Sequence, residues 1–196
     1  MGKELIIFDF FGVISSEVFP IWAEKYFSLN EIKIIRKEII EKSDKGIITE
    51  KEMFDQLSKR TGGNSNNILN DWLETAVINS EMISLIIELR KRYKIALLSN
   101  APGEFLNRIL KRIDTDKVFD FMIISSEEKI AKPDKKIFEL LLSKMKIKAY
   151  NSIFIDDNII NVDAAKSVGI DAILFENVEQ LKKMLLLNNI YFKDML

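Results

Sequence analysis

The chain has 196 residues, of which 47% are hydrophobic and 30% charged, and its formal net charge is -1. This composition is typical of an ordinary globular protein with one core and a small accessory domain, and it offers no basic excess for nucleic acid or a membrane surface. Histidine and cysteine are both absent, which excludes catalytic histidines, disulfides and the common zinc sites. Acid–base chemistry must therefore use Asp, Glu, Lys, Tyr or water. No apolar run reaches membrane-spanning length and no secretory signal is visible, so we expect a cytoplasmic protein.

The first predicted element is a central β-strand at Leu5–Phe8, because a strand covered on both faces reads as a continuous apolar run. From about Pro20 to Asn79 the pattern becomes helical, and Thr49 with Glu52 forms a capping-box pattern at one helix start. No strand is predicted in this block. We therefore interpret it as a separate helical unit.

After this block and a helix at Glu81–Tyr93, strands and helices alternate. The strands are Ile95–Leu98, Phe121–Ile124, Ser152–Ile155 and Ala172–Phe175, and the helices are Phe105–Ile113, Lys135–Met145, Asn161–Val168 and Val178–Leu187. Such alternation predicts βαβ units and an α/β fold with a parallel sheet. The helical block is then an insertion, which divides the chain into a core domain (1–15 and 80–196) and an inserted domain (16–79).

Four short polar motifs each follow an apolar run. They are Asp9, Ser99-Asn100, Lys132-Pro133 and Asp156-Asp157. Parallel α/β sheets bind ligands just beyond the carboxyl ends of their strands, so these motifs are expected to converge on one site. Their carboxylates, hydroxyl, amide and ammonium are suited to holding a phosphate beside a divalent metal ion.

Each motif also has a purely structural interpretation. Asp9 can cap a turn, Ser99-Asn100 suits a strand-to-helix turn, and a lysine before a proline is usually a solvated surface residue. The Asp156-Asp157 pair is harder to explain in this way, because a helix N-cap accounts for one aspartate more easily than two. Adjacent carboxylates repel each other, and Mg²⁺ would relieve that repulsion.

The joint pattern resembles the haloacid dehalogenase superfamily, whose members are mostly phosphatases. The matching motifs are Phe8-Asp9-Phe10-Phe11-Gly12-Val13, Leu98-Ser99-Asn100, Ala131-Lys132-Pro133-Asp134 and Phe154-Ile155-Asp156-Asp157-Asn158. The segments Lys45–Phe54 and Asn161–Ile170 are also similar to the family. The resemblance implies a Rossmann-like three-layer parallel-sheet core with an α-helical cap domain inserted after the first strand.

The resemblance also implies a role for each motif residue. Asp9 would be the nucleophile and a Mg²⁺ ligand, the backbone carbonyl of Phe11 a second ligand, and Asp157, with Asp156 direct or through water, would complete the metal site. Ser99 and Asn100 would bind phosphate, and Lys132 would orient both the nucleophile and the phosphate.

Phe11 departs from the phosphatase pattern, which has an aspartate as general acid and base at this position. Haloacid dehalogenases also lack that aspartate, attack carbon and need no metal, but they generally lack the Asp156-Asp157 pair. The pair therefore favours a Mg²⁺-dependent phosphatase acting on a small phosphate ester such as a sugar phosphate. The alternatives are a 2-haloacid dehalogenase-type hydrolase and a catalytically weakened phosphate-binding module.

The sequence leaves the substrate and the oligomeric state open. Without a general acid, we expect slow turnover and a steep dependence on the leaving group.

Overall fold

The computed structural model describes residues 2–192, and its centre is a five-stranded parallel sheet. The strands are β1 (Leu5–Phe8), β2 (Lys94–Ser99), β3 (Phe121–Ile124), β4 (Ser152–Asp156) and β5 (Asp171–Leu174), in the order β3-β2-β1-β4-β5. The predicted α/β class is confirmed, and each predicted strand lies within one residue of its observed bounds. Residue 1 and residues 193–196 of the predicted core domain lie outside the described residues.

Strand β1 lies in the middle of the sheet, which suits its four apolar side chains. None of them has exposed surface. Ile6 and Phe8 belong to one hydrophobic cluster, and Leu5 and Ile7 belong to the other, as expected when alternate side chains point to opposite faces. The chain runs from β1 through β2 to β3, then crosses to the other side of β1 to form β4 and β5. This reversal of strand order places a crevice at the carboxyl ends of β1 and β4.

The register of the sheet fixes where the polar motifs lie. Phe8 pairs with Leu97 of β2 and with Ile155 of β4. Asp9, the next residue, therefore leaves the sheet at the same level as the end of β4, where Asp156 lies. Two carboxylates that are far apart in sequence become neighbours in this way.

Helices account for the regular structure between β1 and β2. They are α1 (Phe19–Ala23), α2 (Leu29–Ile35), α3 (Glu41–Asp44), α4 (Glu50–Thr61), α5 (Ser65–Thr75) and α6 (Ser80–Leu89), with a π-helical segment, Arg36–Ile40, joining α2 to α3. The capping box is confirmed at the start of α4, where Glu52 N donates to Thr49 Oγ1 (3.2 Å) and Thr49 N donates to Glu52 Oε2 (2.8 Å). The boundary of the predicted inserted domain stays a prediction.

The helices that follow β2 cover the two faces of the sheet. They are α7 (Gly103–Leu110), α8 (Thr115–Val118), α9 (Ser125–Glu128), α10 (Lys135–Met145), α11 (Ile159–Ser167) and α12 (Val178–Leu187), with a 3-10 turn at Ala149–Asn151. Helices α8 and α9 were not predicted, because four residues are too few to show helical periodicity. Across residues 2–192, no helix is both long and apolar enough to cross a membrane.

One contact between the helical block and the rest of the chain is made through α7. Trp72 of α5 packs edge-on against Phe105 of α7, with ring centroids 5.6 Å apart. Arg108 of α7 forms an ion pair with Glu50, and the guanidinium of Arg112 donates to the carbonyl oxygen of Leu73 at 2.8 Å. One hydrophobic cluster runs continuously across this contact. The block is therefore held over the carboxyl edge of the sheet.

Candidate active site

A cavity of about 420 Å³ opens at the carboxyl edge of the sheet. Asp9, Asn100, Lys132 and Asp157 line its floor, each contributed by the segment that follows a different strand. The structure thus brings together residues from all four predicted motifs. The volume lies within the range common for small-molecule sites.

Lys132 is the central cation of the floor. Its Nζ lies 2.7 Å from Asp9 Oδ1 and 2.7 Å from Asp156 Oδ2, and the residue is only 4% exposed. The interpretation of Lys132 as a solvated surface residue is therefore wrong. A buried ammonium between two carboxylates holds them close together without leaving either charge unpaired.

Asn100 fixes the backbone of Lys132. Its Nδ2 donates to the carbonyl oxygen of Lys132 at 2.8 Å, and its Oδ1 accepts from the backbone N–H of Lys132 at 2.9 Å. A side-chain amide carries two N–H donors, so one remains for a ligand in the cavity that Asn100 lines. The residue thus positions the lysine, a task that the sequence did not predict for it.

Asp156 is an anchor beneath the floor, with no exposed surface. Besides Lys132, it accepts hydrogen bonds from the backbone N–H of Asn158 at 2.8 Å and from Nδ2 of Asn161 at 3.1 Å. Both of its oxygens therefore already have protein partners. Asp157, by contrast, lines the cavity directly.

An acidic cluster at this point has the donor chemistry of a magnesium site. Asp9, Asp156 and Asp157 each offer an oxygen, and these atoms lie within 4.8 Å of one another. Hard divalent cations prefer such all-oxygen surroundings. A Cβ atom built on Gly12 would lie 2.2 Å from Asp157 Oδ2, and Gly12 has a φ of +84°. Glycine is therefore required to leave room for the Asp157 carboxylate.

The electrostatics of the floor reflect its burial. Burial raises the pKa of Asp9 well above its usual range; Lys132 opposes this shift, and the charge of Asp156 adds to it. Burial also raises the pKa of Asp157, with a further contribution from Asp156. For Lys132, burial favours the neutral amine, but the two carboxylates outweigh it and the pKa is raised. A divalent cation would relieve the repulsion among the carboxylates.

Ser99 ends β2 and is fully buried. Its Oγ has no hydrogen-bond partner within residues 2–192, although buried hydroxyl groups almost always have one. The residue does not line the cavity itself, but its neighbour Asn100 does. That Ser99 binds a ligand oxygen therefore stays a prediction.

The wall opposite the floor comes from the helical block, and its polar residues were not predicted. Its polar members include Glu17, Arg36 and Asp44, and aromatic rings of Phe19 and Trp72 lie in the same wall. Burial raises the pKa of Glu17, with Asp157 as the second cause, and raises the pKa of Asp44 to about 7. In the sequence these acidic residues are indistinguishable from ordinary surface charges.

Phe11 also lines the cavity. Its ring stacks on Phe105, with ring centroids 6.0 Å apart and planes inclined by 16°. The phenyl ring has no proton to donate. In the phosphatase pattern that the chain resembles, this position carries the general acid. Here Phe11 makes an aromatic contact instead.

The chain is similar to known proteins over most of its length. A family model described as "haloacid dehalogenase-like hydrolase" matches residues 3–169. The chain is 26% identical over 183 residues to a phosphorylated carbohydrates phosphatase of Thermotoga maritima, covering 87% of this chain and 83% of that protein. It is 28% identical over 168 residues to a sesquiterpene phosphatase of Aspergillus oryzae, covering 83% and 85%.

A solved structure is similar over almost its whole length. It is a HAD family enzyme of Bacteroides thetaiotaomicron in complex with magnesium and inorganic phosphate. The TM-score is 0.77 and the identity 25%, and the match covers 92% of this chain and 99% of that one.

Proposed function

Because this chain belongs to the haloacid dehalogenase-like hydrolase family, we propose that it is a Mg²⁺-dependent phosphatase with Asp9 as its nucleophile. The observation that carries the proposal is the position of Lys132 Nζ, 2.7 Å from both Asp9 and Asp156, beside the oxygen cluster that includes Asp157. A nucleophilic carboxylate, a fixed cation and an oxygen-only metal site are the parts that phosphoryl transfer to a carboxylate needs.

The residues would divide the work as follows. Asp9 and Asp157 would hold the magnesium ion with the backbone carbonyl of Phe11, and Asp156 would act directly or through water. The bound ion would supply positive charge against the phosphate oxygens. Ser99, Asn100 and Lys132 would hold the phosphate, and Lys132 would also orient Asp9.

The reaction would proceed in two displacements. An oxygen of Asp9 attacks phosphorus while the bond to the leaving oxygen breaks, which forms an aspartyl-phosphate. Water then attacks the same phosphorus atom while the bond between phosphorus and the Asp9 oxygen breaks, which releases inorganic phosphate and restores the Asp9 carboxylate. Burial of Asp9 and Lys132 excludes bulk water from the attacking oxygen and strengthens their interaction.

The wall from residues 16–79 would act as a cap that sets specificity. It combines carboxylates, Arg36 and the faces of Phe19 and Trp72. Hydrogen-bonding groups next to aromatic faces suit a small polyol, which supports a sugar phosphate as the substrate. The relative named as a phosphorylated carbohydrates phosphatase adds to this support.

The test is a screen for phosphate release from sugar phosphates, acyl phosphates and nucleotides, with Mg²⁺ and with excess chelator. A parallel screen follows halide release from 2-haloacids. We expect phosphate release that needs Mg²⁺ and is lost in Asp9→Asn. Halide release without metal would instead establish the dehalogenase alternative, and phosphate binding without turnover would establish the binding module.

A further inference from the structure

A phosphatase of this design needs a proton donor, and position 11 does not supply one. The Phe11 ring stacks on Phe105 and carries no titratable group. The floor offers no replacement, since Lys132 is paired with two carboxylates and Asp156 is fully bonded. The remaining carboxyl groups that line the cavity are Glu17, Glu41 and Asp44, all within residues 16–79.

We propose that Asp44, at the end of α3, is the general acid and base of this reaction. The proposal rests on the proposed phosphatase function and adds a catalytic residue to it. Asp44 lines the same cavity as Asp9 and is half-buried.

The backbone at Asp44 is fixed to the catalytic edge of the sheet. The Oγ of Ser125, directly after β3, donates to the carbonyl oxygen of Asp44. The same Oγ accepts from the backbone N–H of Ala101, directly after Ser99-Asn100, at 3.0 Å. Ser125 has no exposed surface. These two hydrogen bonds through Ser125 connect the backbone of Asp44 to the loop that follows the predicted phosphate-binding residues Ser99 and Asn100.

A second contact fixes the turn that follows α3. Gly46 has a φ of +62°, and a Cβ atom built there would lie 2.4 Å from the carbonyl oxygen of Ser126. The turn therefore lies directly against the segment that follows β3. A catalytic group needs this kind of support from a rigid element, because small displacements cost much of the rate.

The surroundings of Asp44 keep both protonation states accessible near neutral pH. Burial raises its pKa to about 7; Arg36 and Lys132 act to lower it, and Glu17 and Glu41 act to raise it. The ammonium of exposed Lys45 also borders the cavity. A group that first donates and then accepts a proton works best in this range.

Glu41 and Glu17 are the competing carboxyl groups in this wall, and Glu41 is exposed. The pKa of Glu17 is raised by burial and then by the charge of Asp157, which the proposed magnesium ion would neutralise. Burial acts most strongly on the pKa of Asp44, followed by the charges of Arg36 and Glu17. Its backbone is held by the hydroxyl group of Ser125, and on this geometry we assign the donor role to Asp44.

Over the two steps, Asp44 gives up one proton and takes up one proton. As Asp9 attacks phosphorus and the phosphorus–oxygen bond of the ester breaks, the Asp44 carboxyl group gives its proton to the leaving oxygen, and the alcohol departs. Water then attacks the aspartyl-phosphate, and the Asp44 carboxylate takes a proton from that water. Inorganic phosphate is released, and both aspartates return to their starting states.

The experiment compares the parent protein with Asp44→Asn on aryl and alkyl phosphates of increasing leaving-group pKa, in Mg²⁺. The measured quantity is kcat/KM, which reports the steps up to the first irreversible one. We expect a shallow dependence in the parent and a steep one in Asp44→Asn, with alkyl phosphates losing ~10²–10⁴-fold and nitrophenyl phosphates far less. From Phe11 alone, we predicted that kcat/KM of the parent depends steeply on leaving-group pKa. A general acid at Asp44 changes that prediction to a shallow dependence.

The matched control is Glu17→Gln, which should keep the parent's slope whatever happens to its KM. Equal slopes in the parent and in a folded Asp44→Asn would overturn the assignment while leaving the phosphatase function intact. If the parent releases no phosphate from any ester, the proposed function fails first, and the assignment fails with it.

A measurement on the parent alone covers the case in which Asp44→Asn does not fold. For an alkyl phosphate, kcat/KM should fall as pH rises through ~7, because the acid form is lost. For dinitrophenyl phosphate, whose leaving group needs no proton, this decrease should be absent. The same pH profile for both substrates would overturn the role of Asp44.

Discussion

The ammonium of Lys132 lies 2.7 Å from Oδ1 of Asp9, and both residues are buried. Since Lys132 also bonds Asp156 at 2.7 Å, its removal leaves two buried carboxylates facing each other. We therefore expect Lys132→Met to lower the free energy of unfolding by ~3–5 kcal/mol, as is usual when one partner of a buried pair is deleted. Denaturant unfolding in chelator measures this loss, and the exposed Lys135→Met is the control, expected to change it by less than ~0.5 kcal/mol. An equal effect of both substitutions would mean that Lys132 does not bridge the carboxylates.

Asp9→Asn should abolish phosphate release while preserving the fold. The amide is nearly isosteric with the carboxylate but is a far weaker nucleophile, and Lys132 keeps its second partner, Asp156. Turnover in the parent and the variant, measured beside their melting curves, checks this expectation. A folded variant with undiminished turnover would remove Asp9 from the mechanism.

Mg²⁺ should raise the melting temperature of the parent, because an ion that binds only the native cluster stabilises it by mass action. At about 100 times its dissociation constant the gain is ~2.7 kcal/mol. Asp157→Asn should reduce the gain. Gly12→Ala should reduce it too, since the added Cβ would lie 2.2 Å from Asp157 Oδ2. If all three proteins show the same shift, the ion binds elsewhere.

The titration of Asp44 should be visible in stability as well as in rate. Folding raises its pKa from 3.8 to about 7, so the native state holds this proton more tightly than the unfolded chain does. The resulting stabilisation is complete below pH 3.8 and is lost as pH rises through about 7. Asp44→Asn has no such loss, so its melting temperature relative to the parent should increase between pH ~4 and ~8. A difference that does not vary with pH would contradict the raised pKa of Asp44.

The sheet and the floor of the site were predictable because both have local signatures. Buried parallel strands read as short apolar runs, and a polar residue at the end of such a run stands out against it. Asp9 and the Asp156-Asp157 pair were located in this way. The division of labour within the floor was not predictable, because it depends on contacts across the sheet. The amide of Asn100 holds the backbone of Lys132, a residue 32 positions away in the chain.

The opposite wall had no such signature. Asp44 lies in a run of charged residues that includes Glu41, Lys42 and Lys45, which is typical of a solvated helix face. Only the docking of α3 on Ser125 brings its carboxyl group to the cavity. Helical periodicity identifies the faces that pack, but it carries no information about which charged side chain lies at the cavity.

The most direct test of the central claim is to look for phosphate on Asp9. The parent is mixed with a substrate in Mg²⁺, quenched with acid during turnover, digested and analysed by mass spectrometry. We expect a phosphoryl group on the peptide containing Asp9, present with Mg²⁺, absent in chelator and absent in Asp9→Asn. Sustained phosphate release with no phosphoryl group on Asp9, or with one on another residue, would contradict the mechanism.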